Sequence, residues 1–408
     1  MPESRSRGRG LTGANVVLGV TGGIAAYKAA DLTSKLVQAG SDVHVVMTGA
    51  ATRFVQPLTF QALSHHDVHT DVFAGWDEDG RGHVGLAAST GVLLIAPATA
   101  DIIARLAIGR VDDMLTAVAL ATAAPLVIVP AMEHHMWHHP ATQANLETLR
   151  QRGATIVEPE RGYLASGASG DGRMAPVERI LAAVRRVLGA SGPLAGTRVL
   201  VSAGGTREAL DPVRYLGNRS SGAMGVALVE AAIDLGASVT LVAGPTVTNL
   251  PAGVPVIPVE SAEEMAEAVW REATGADVLI MAAAVADFRP RVMSEQKIKK
   301  QAGQETMQLE LVRNPDIIAG VDVPGLLKIG FAAETEHLAD HALAKARSKG
   351  LAMIVANDAV RTIGSAESEA MLIFPERPAI PLPAMPKTAL AAKIMDEVVL
   401  LLSAAAHD

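Results

Sequence analysis

The chain contains 408 residues and carries a formal net charge of -8; 49% of its residues are hydrophobic, 3% are aromatic and none is cysteine. This length predicts two domains with aliphatic cores, because a single hydrophobic core rarely grows so large. The negative charge argues against a general nucleic-acid-binding protein. The lack of cysteine excludes disulfide bonds and a thiol nucleophile.

Five apolar strand candidates recur in the first half, with helical patterns between them. They cover residues 15–20, 42–47, 92–97, 126–130 and 154–159. This alternation is typical of a parallel α/β sheet. Around residue 190 the segment GASGPLAG interrupts the pattern, which indicates a domain boundary. The pattern then restarts at residues 197–205, 238–244, 277–287, 327–334 and 352–357. The predicted fold class is therefore α/β, with two Rossmann-like domains built on parallel sheets.

Two segments bear on location. Residues 114–132 carry no charge, over a length close to that of a membrane span. Pro125 divides them into an Ala-rich helix and a short strand, so they fit a buried sheet core better than a membrane. The basic residues 1–10 lack the apolar segment of a signal peptide and are expected to form a disordered tail. We therefore expect a cytoplasmic protein with no membrane partner.

Both halves open with a glycine-rich turn after their first strand, at residues 20–28 and 201–225. In parallel sheets, ligands bind beyond the carboxyl ends of strands, where such turns lead into helices. Glycine lets the backbone approach a phosphate, which a helix N-terminus then holds. Neither turn matches GxGxxG, so the sequence does not support a dinucleotide dehydrogenase. Each turn alone is also consistent with a simple tight connection.

The segment PAMEHHMWHHP, at residues 130–140, contains four histidines. They form two pairs spaced four residues apart: His134 with His138, and His135 with His139. On a helix each pair would share a face, as zinc ligands do. However, Glu133 precedes both pairs, and prolines stand at both ends of the segment. The spacing therefore favours solvated histidines on a loop over a metal site.

Further motifs accompany the first glycine turn. In chain order they are VMTGAATRFV (46–55), GHVGLA (82–87), APATADIIARLAIGRVDDMLT (96–116), PAMEHHMW (130–137) and ASGASGDGRM (165–174). As an ordered set they resemble the flavin-dependent phosphopantothenoylcysteine decarboxylases of coenzyme A synthesis, over residues 13–189. The resemblance implies a flavodoxin-like domain that binds FMN, often between the subunits of a trimer.

By this resemblance, the FMN-binding residues are Gly23, Ile24, Thr48 and Thr99, and His83 is the catalytic histidine. The flavin would oxidise the cysteinyl thiol, CO2 would leave from the adjacent carboxylate, and the reduced flavin would return the electrons. Two positions depart from the family pattern: Glu133 replaces an asparagine, and Ser166 replaces a cysteine that donates a proton. Two interpretations remain open. Either Glu133, when protonated, donates the proton instead, or this half binds flavin without catalysis and acts as a regulator.

The second half carries its own ordered set of motifs. They are DPVRYLGNRSSGAMG (211–225), AAAVADFRP (282–290), QKIKK (296–300), VRNPDII (312–318), GFAAET (330–335) and KARSKGLAMIVAND (345–358). This set resembles phosphopantothenate–cysteine ligase, over residues 194–405. The resemblance implies that CTP activates the phosphopantothenate carboxylate as an acyl-cytidylate, and that the cysteine amine then displaces CMP. Phosphate chemistry of this kind usually needs a divalent ion such as Mg2+.

The resemblance also assigns ligase residues. Asn218 and Lys299 are the catalytic residues, with Asn218 holding the acyl intermediate. The nucleotide-binding residues are Ala283, Asp287, Lys299, Pro315, Asp316, Ile317, Ile318, Phe331, Lys345 and Lys349. Lys345 and Lys349 are spaced four apart, so on a helix they would point the same way towards the triphosphate. Ala223 departs from the pattern, because the family commonly has a lysine there; this change is expected to weaken phosphopantothenate binding unless another cation serves.

As a whole, the chain resembles the bifunctional proteins of coenzyme A synthesis, with a decarboxylase domain at 13–189 and a ligase domain at 194–408. The expected substrates are 4'-phosphopantothenate, cysteine and CTP, and the expected cofactors are FMN and Mg2+. A homo-oligomer is expected, with a trimeric decarboxylase core and dimeric ligase contacts. One alternative is an active ligase fused to a non-catalytic flavin-binding half. A weaker alternative is an unrelated pair of nucleotide-binding modules.

Overall fold

The computed structural model describes residues 10–73, 82–245, 250–299, 305–334, 338–358 and 367–405. Most of the predicted N-terminal tail and Lys300 of the lysine cluster lie outside these residues. The chain divides into two compact units between residues 190 and 191. Among the described residues, no helix has the length and apolar character needed to cross a membrane.

The first unit is built on a five-stranded parallel sheet with the order β2-β1-β3-β4-β5. The strands are β1 (Asn15–Val20), β2 (Asp42–Met47), β3 (Val92–Ala98), β4 (Leu126–Pro130) and β5 (Thr155–Ile156). All seven residues of β3 are buried, because helices cover both faces of the sheet. The prediction of a parallel α/β sheet is thus confirmed for this unit.

Eight helices surround this sheet in the described part of the unit. They are α1 (Ala26–Gln38), α2 (Pro57–Ser64), α3 (Gly82–Ser89), α4 (Ala100–Ile108), α5 (Met114–Ala121), α6 (His134–Trp137), α7 (Pro140–Gln151) and α8 (Val177–Gly189). Helices α1 and α8 bury their apolar residues on one face of the sheet, and α4 and α5 do so on the other. As predicted, Pro125 separates a helix from a strand. An antiparallel hairpin, β6 (Glu160–Tyr163) and β7 (Ser169–Arg173), follows β5 and was not predicted.

The second unit contains an eight-stranded sheet with the order β12-β11-β8-β13-β16-β17-β18-β19. Its strands are β8 (Arg198–Ala203), β11 (Ser238–Ala243), β12 (Val256–Pro258), β13 (Val278–Met281), β16 (Leu327–Glu334), β17 (Met353–Asp358), β18 (Glu367–Ile373) and β19 (Ile380–Pro386). Six strands are parallel, whereas β18 and β19 are antiparallel to their neighbours. The connection between β18 and β19 is too short for a crossover helix, so this edge of the sheet cannot be parallel.

Helices cover both faces of this sheet. Helices α9 (Ala223–Asp234) and α12 (Lys387–Ala405) pack together on one face, and α10 (Ala262–Ala273) and α11 (Leu338–Ser348) cover the other. Two small antiparallel pairs lie outside the main sheet. They are β9 (Arg207–Ala209) with β10 (Tyr215–Gly217), and β14 (Phe288–Pro290) with β15 (Leu311–Arg313). The starts of α9 and α12 and the loops after β13 and β15 surround one large cavity.

Candidate functional site

In the first unit, Thr21 joins two loops at the carboxyl edge of the sheet. Its buried hydroxyl donates to the Pro97 carbonyl at 2.6 Å and accepts from the Thr99 amide at 3.1 Å. The glycine turn after β1 is therefore fixed against the Ala-Pro-Ala-Thr segment at the end of β3. A Cβ added at Gly23 would lie 3.5 Å from the Thr99 methyl group. Sequence reasoning missed Thr21, although a polar residue directly after a buried strand is the signal that could have found it.

The predicted FMN-binding residues Gly23, Ile24, Thr48 and Thr99 lie along this edge. The Thr48 amide donates to the Val20 carbonyl at 3.1 Å, which brings the loop after β2 beside the glycine turn. Thr99 caps α4 by accepting a hydrogen bond from the Ile102 amide at 3.4 Å. Helix α1 begins without a side-chain cap. A bare backbone turn that leads into an uncapped helix fits the phosphate of a flavin nucleotide.

His83 lies in the first turn of α3, whereas the sequence placed it simply before a strand. Its Nδ1 atom is buried, and no described residue forms a hydrogen bond with it. Buried polar atoms in native proteins are nearly always hydrogen-bonded, so an orphaned ring nitrogen marks a position where a ligand completes the bonding. This atom is the strongest local indication of a bound group in the first unit.

The predicted loop at residues 130–140 is wrong, because His134–Trp137 form the short helix α6. Glu133 caps this helix through Oε2, which accepts from the His135 amide at 2.7 Å. Trp137 is buried on the sheet and fixes the other end. The two prolines do not bracket a loop: Pro130 ends β4, and Pro140 starts α7, where its fixed backbone angle is favourable.

Three side chains tie α6 to the β6–β7 hairpin. His138 Nε2 lies 2.9 Å from Asp171 Oδ2, and the Asp171 amide donates to His134 Nδ1 at 3.1 Å. One potential metal-ligand atom from each of these three side chains lies within 4.8 Å of the other two, so the cluster could also hold a metal ion. The tip of the same hairpin carries Ser166, which is exposed. The structure thus joins the segment of Glu133 to the segment of Ser166.

In the second unit, a cavity of about 1020 Å³ lies at the carboxyl edge of the sheet. It collects all the predicted ligase residues except one. These are Asn218, Ala283, Asp287, Pro315, Asp316, Ile317, Ile318, Phe331, Lys345 and Lys349. Among the described residues, five cationic side chains line it against two carboxylates: Arg219, Arg313, Lys345, Lys349 and Lys387 against Asp287 and Asp316. This excess of positive charge suits a polyanionic ligand.

Buried polar side chains shape the loop that follows β13. Ser202 and Thr206 accept hydrogen bonds from the amides of Ala283 at 3.2 Å and Ala286 at 3.0 Å. The Asn314 amide group donates to the Ala286 carbonyl at 2.8 Å. These bonds fix the backbone beside the cavity. Sequence reasoning missed Ser202, Thr206 and Asn314, because a polar side chain at or near the end of a strand does not reveal which distant loop it binds.

Asn218 and the start of α9 also line the cavity. The Asn218 side chain donates to the Val285 carbonyl at 2.9 Å, so it is fixed to the loop after β13. A Cβ at Gly225 would lie 2.4 Å from the Ala203 Cβ, and only glycine therefore lets α9 start directly against the end of β8. This close approach puts the first turn of the helix on the cavity wall.

Lys349 forms an ion pair with Asp316, with 2.6 Å between Nζ and Oδ2. Partial burial alone would raise the pKa of the Asp316 carboxyl group. The hydrogen bonds from Lys349 and from the Ala319 amide, with the charges of Lys349 and Lys345, outweigh burial and hold that pKa below its ordinary value. Asp316 therefore stays ionised at neutral pH and orients Lys349. Lys345 makes no ion pair with any described residue.

Lys299 is the predicted ligase residue that the described cavity wall does not include. It is exposed, in a segment anchored one residue earlier. The Ile298 amide donates to Asp211 Oδ2 at 3.1 Å, and Arg214 donates to the Ile298 carbonyl at 2.9 Å. Asp211 itself is buried and also pairs with Arg214. This anchor limits where Lys299 can reach.

Together these features define a two-domain α/β protein. The first sheet carries a candidate phosphate cradle, formed by the glycine turn with Gly23, Ile24, Thr48 and Thr99, and the second carries a cationic cavity. Two protein-family profiles match the chain: "Flavoprotein" over residues 4–189, and "DNA/pantothenate metabolism flavoprotein C-terminal domain" over residues 194–401. The chain belongs to the family of bifunctional coenzyme A biosynthesis proteins, because relatives of that name match it over nearly its full length.

Three such relatives, each named "Coenzyme A biosynthesis bifunctional protein CoaBC", illustrate the similarity. The Bacillus subtilis protein is 44% identical, with 96% of this chain and 98% of that protein covered. The Vibrio cholerae protein is 46% identical, with 94% and 98% covered. The Mycobacterium tuberculosis protein is 44% identical, with 95% and 97% covered.

One solved structure that resembles the second unit is the C-terminal domain of a CoaBC protein. Its TM-score is 0.45 at 39% identity, and it covers 52% of this chain and 99% of that domain. A PPC decarboxylase mutant complexed with pantothenoylaminoethenethiol has a TM-score of 0.40 at 31% identity, and covers 42% of this chain and 97% of that protein.

Proposed function

We propose that the chain converts 4'-phosphopantothenate into 4'-phosphopantetheine in two steps of coenzyme A synthesis. The ligase domain, residues 194–408, joins cysteine to phosphopantothenate with CTP and Mg2+. The decarboxylase domain, residues 13–189, then removes CO2 from phosphopantothenoylcysteine with FMN. The observation that carries this proposal is the cationic cavity, which gathers the predicted nucleotide-binding residues from loops far apart in the sequence.

In the ligase step, a carboxylate oxygen of phosphopantothenate attacks the α-phosphorus of CTP, and pyrophosphate leaves. The cysteine amine then attacks the acyl carbon, and CMP leaves. Lys345 and Lys349 neutralise the triphosphate, and the Asp316 ion pair orients Lys349. When bound with the triphosphate, Mg2+ would supply further positive charge beside Lys345 and Lys349. Asn218, fixed to the Val285 carbonyl, holds the acyl intermediate, and Asp287 reads the cytosine.

In the decarboxylase step, FMN supplies the reversible two-electron oxidation of the cysteinyl thiol that lets the carboxylate leave as CO2. The glycine turn at Gly23, with Thr48 and Thr99, holds the flavin nucleotide. The orphaned Nδ1 of His83 completes its bonding with the bound groups. Glu133 uses Oε2 for the helix cap, which leaves Oε1 to contact the substrate.

The chain acts as a homo-oligomer, with a trimeric decarboxylase core and dimeric ligase contacts. Exposed apolar side chains beside the flavin cradle support this part of the proposal. Ile24 is 61% exposed and Tyr27 is 62% exposed at the start of α1, and Leu58 is 71% exposed on α2, which packs against α1. Clustered exposed apolar residues mark interaction surfaces. A cytoplasmic location is part of the same proposal.

Mass spectrometry of one reaction tests the proposal. The full chain, reconstituted with FMN, receives phosphopantothenate, cysteine, CTP and Mg2+. We expect 4'-phosphopantetheine, with CMP and pyrophosphate formed in equal amounts. Accumulation of phosphopantothenoylcysteine would support the ligase activity and contradict the decarboxylase activity. The first half would then be regulatory. No product at all would contradict both activities, and replacement of CTP by ATP measures nucleotide preference.

A further inference from the structure

Ser368 is a buried polar residue that the reaction described above does not use. It lies on β18, is 3% exposed, and its hydroxyl has no hydrogen-bond partner among the described residues. It also lines the cavity. Because an unbonded buried hydroxyl is destabilising, this atom indicates a ligand that completes its bonding.

The neighbours of Ser368 are the first turns of two helices. Along β18, Ala370 and Leu372 alternate with exposed or half-buried residues and pack in the core beneath α9 and α12. Ser368 lies two residues before Ala370, so its side chain is on the same side of the strand and faces the same helices. Ala223 and Lys387 are the first residues of α9 and α12, and both line the cavity. Helix N-termini carry partial positive charge and attract anions.

Lys387 adds a full positive charge at this place. Its side chain is half-buried, and no described carboxylate pairs with it. By contrast, the cations assigned to the triphosphate, Lys345 and Lys349, come from α11 and the residue after it, on the opposite face of the sheet. Lysines from both faces of the sheet therefore line the cavity, which fits two ligands that each carry an anionic group.

We propose that Ser368 and Lys387, with the start of α9, form a second anion subsite that binds the phosphate monoester of the acyl substrate. This inference rests on the proposed function, in which that substrate is 4'-phosphopantothenate. Ala223 supplies no cation at the start of α9, so the positive charge at this place comes from Lys387 at the start of α12. A phosphate there accepts hydrogen bonds from the Ser368 hydroxyl and the Lys387 ammonium group.

Ligase kinetics of Lys387→Met test the subsite. We expect the KM for 4'-phosphopantothenate to rise about 10-fold or more, because a charge-assisted hydrogen bond is lost, while the KM for CTP stays within about 2-fold. The preference for phosphopantothenate over unphosphorylated pantothenate should fall by the same factor. The matched control is Lys393→Met, an exposed lysine on the same helix, which should change neither constant. A rise in the KM for CTP instead would overturn the proposal.

Two more variants separate binding from structure. Ser368→Ala should raise the KM for phosphopantothenate about 3-fold without lowering the Tm, because it removes a hydroxyl with no partner in the protein. Ala223→Lys in the Lys387→Met background should recover most of the lost affinity, an effect that a purely structural Lys387 would not allow. Unchanged affinity in the double variant, or a KM unaffected by either single change, would overturn the subsite.

Calorimetric titration with 4'-phosphopantothenate alone separates this inference from the proposed function. If the wild-type chain shows no turnover, the proposed function fails, but tight binding that weakens about 10-fold in Lys387→Met still supports the subsite. Equal affinity in the two proteins, or no binding to either, overturns it.

Discussion

The phosphate cradle of the first unit and the cavity of the second hold their polar groups differently. In the first unit, Thr21 bonds backbone groups of the neighbouring Ala-Pro-Ala-Thr segment, and Thr99 and Glu133 cap their own helices. His83 keeps a buried nitrogen with no described partner. In the second unit, five cations of the described residues line one cavity. A ligand in the first unit is therefore held mainly by backbone and shape, and a ligand in the second mainly by charge.

This difference determines how much each departure from the family pattern matters. Ala223 removes one cation from the cavity, but five cations of the described residues still line it. The loss of substrate affinity should therefore be small. Glu133 and Ser166 instead change two of the few side chains that can move a proton in the first unit. We therefore expect graded effects on ligase binding and sharp effects on decarboxylase turnover.

The largest effect should come from a ligase residue that the cavity wall does not include. Lys299→Ala should lower ligase kcat by about 100-fold or more, because a cation at the developing charge stabilises the transition state. Steady-state release of pyrophosphate measures it. Lys297→Ala, an exposed lysine of the same segment, is the matched control and should keep its rate. Unchanged turnover in Lys299→Ala would mean that the cavity cations alone suffice.

In the first unit, His83→Asn should lower decarboxylase turnover by about 100-fold, the lower range for a lost general acid or base. FMN binding, followed by flavin absorbance, should stay intact, because the cradle lies on other loops. His65→Asn is the control: His65 is exposed and has a positive φ, which asparagine tolerates. Loss of flavin together with activity in His83→Asn would instead assign His83 to cofactor binding.

Much of the fold was predictable from local patterns. Most of the parallel strands contain a continuous apolar run, and nearly every one was located within a few residues. The antiparallel strands β18 and β19 were missed, because β19 alternates proline with apolar residues and its pairing depends on a short connection. Helix α6 was missed because four residues carry little propensity; its cap at Glu133 and the burial of Trp137 decide it.

The candidate sites divide in the same way. Motif-bearing residues such as Asn218 and Phe331 were found because a known family shares their local pattern, and the structure brings them to one cavity. Ser368 and Lys387 stand alone in the sequence, in segments with no recognisable motif. Strand pairing and helix packing bring them to the cavity beside residues more than a hundred positions away in the sequence. No local sequence pattern predicts such a contact.

Ser166→Cys tests whether proton donation limits decarboxylase turnover in the first unit. If proton donation limits the wild-type reaction, a thiol at the hairpin tip should raise decarboxylase turnover about 10-fold, because it is a much stronger acid than a hydroxyl. Release of CO2 from phosphopantothenoylcysteine measures the change. Ser169→Cys is the control, since it adds the same exposed thiol to the same hairpin. No gain in Ser166→Cys would indicate that another group, with Glu133 the first candidate, already donates the proton.

The smallest effect concerns Asp211, which anchors the segment before Lys299. Arg214 lowers the pKa of Asp211 most; the amides of Val213 and Ile298 add to this, and together they outweigh burial, so the pKa is far below its ordinary value of 3.8. A carboxylate with a lowered folded-state pKa stabilises the fold above the unfolded pKa, and this stability is lost as the pH falls.

Asp211→Asn should therefore unfold at lower urea concentration than the wild type above about pH 5, and the gap should narrow progressively as the pH falls below about 4. Chemical denaturation across this range measures it, with the exposed Asp322→Asn as control. The variant should also lose a few-fold in ligase kcat, because Ile298 loses one of its two anchors and Lys299 is held less closely. A gap that is constant with pH would mean that geometry, and not the charge of Asp211, anchors this segment.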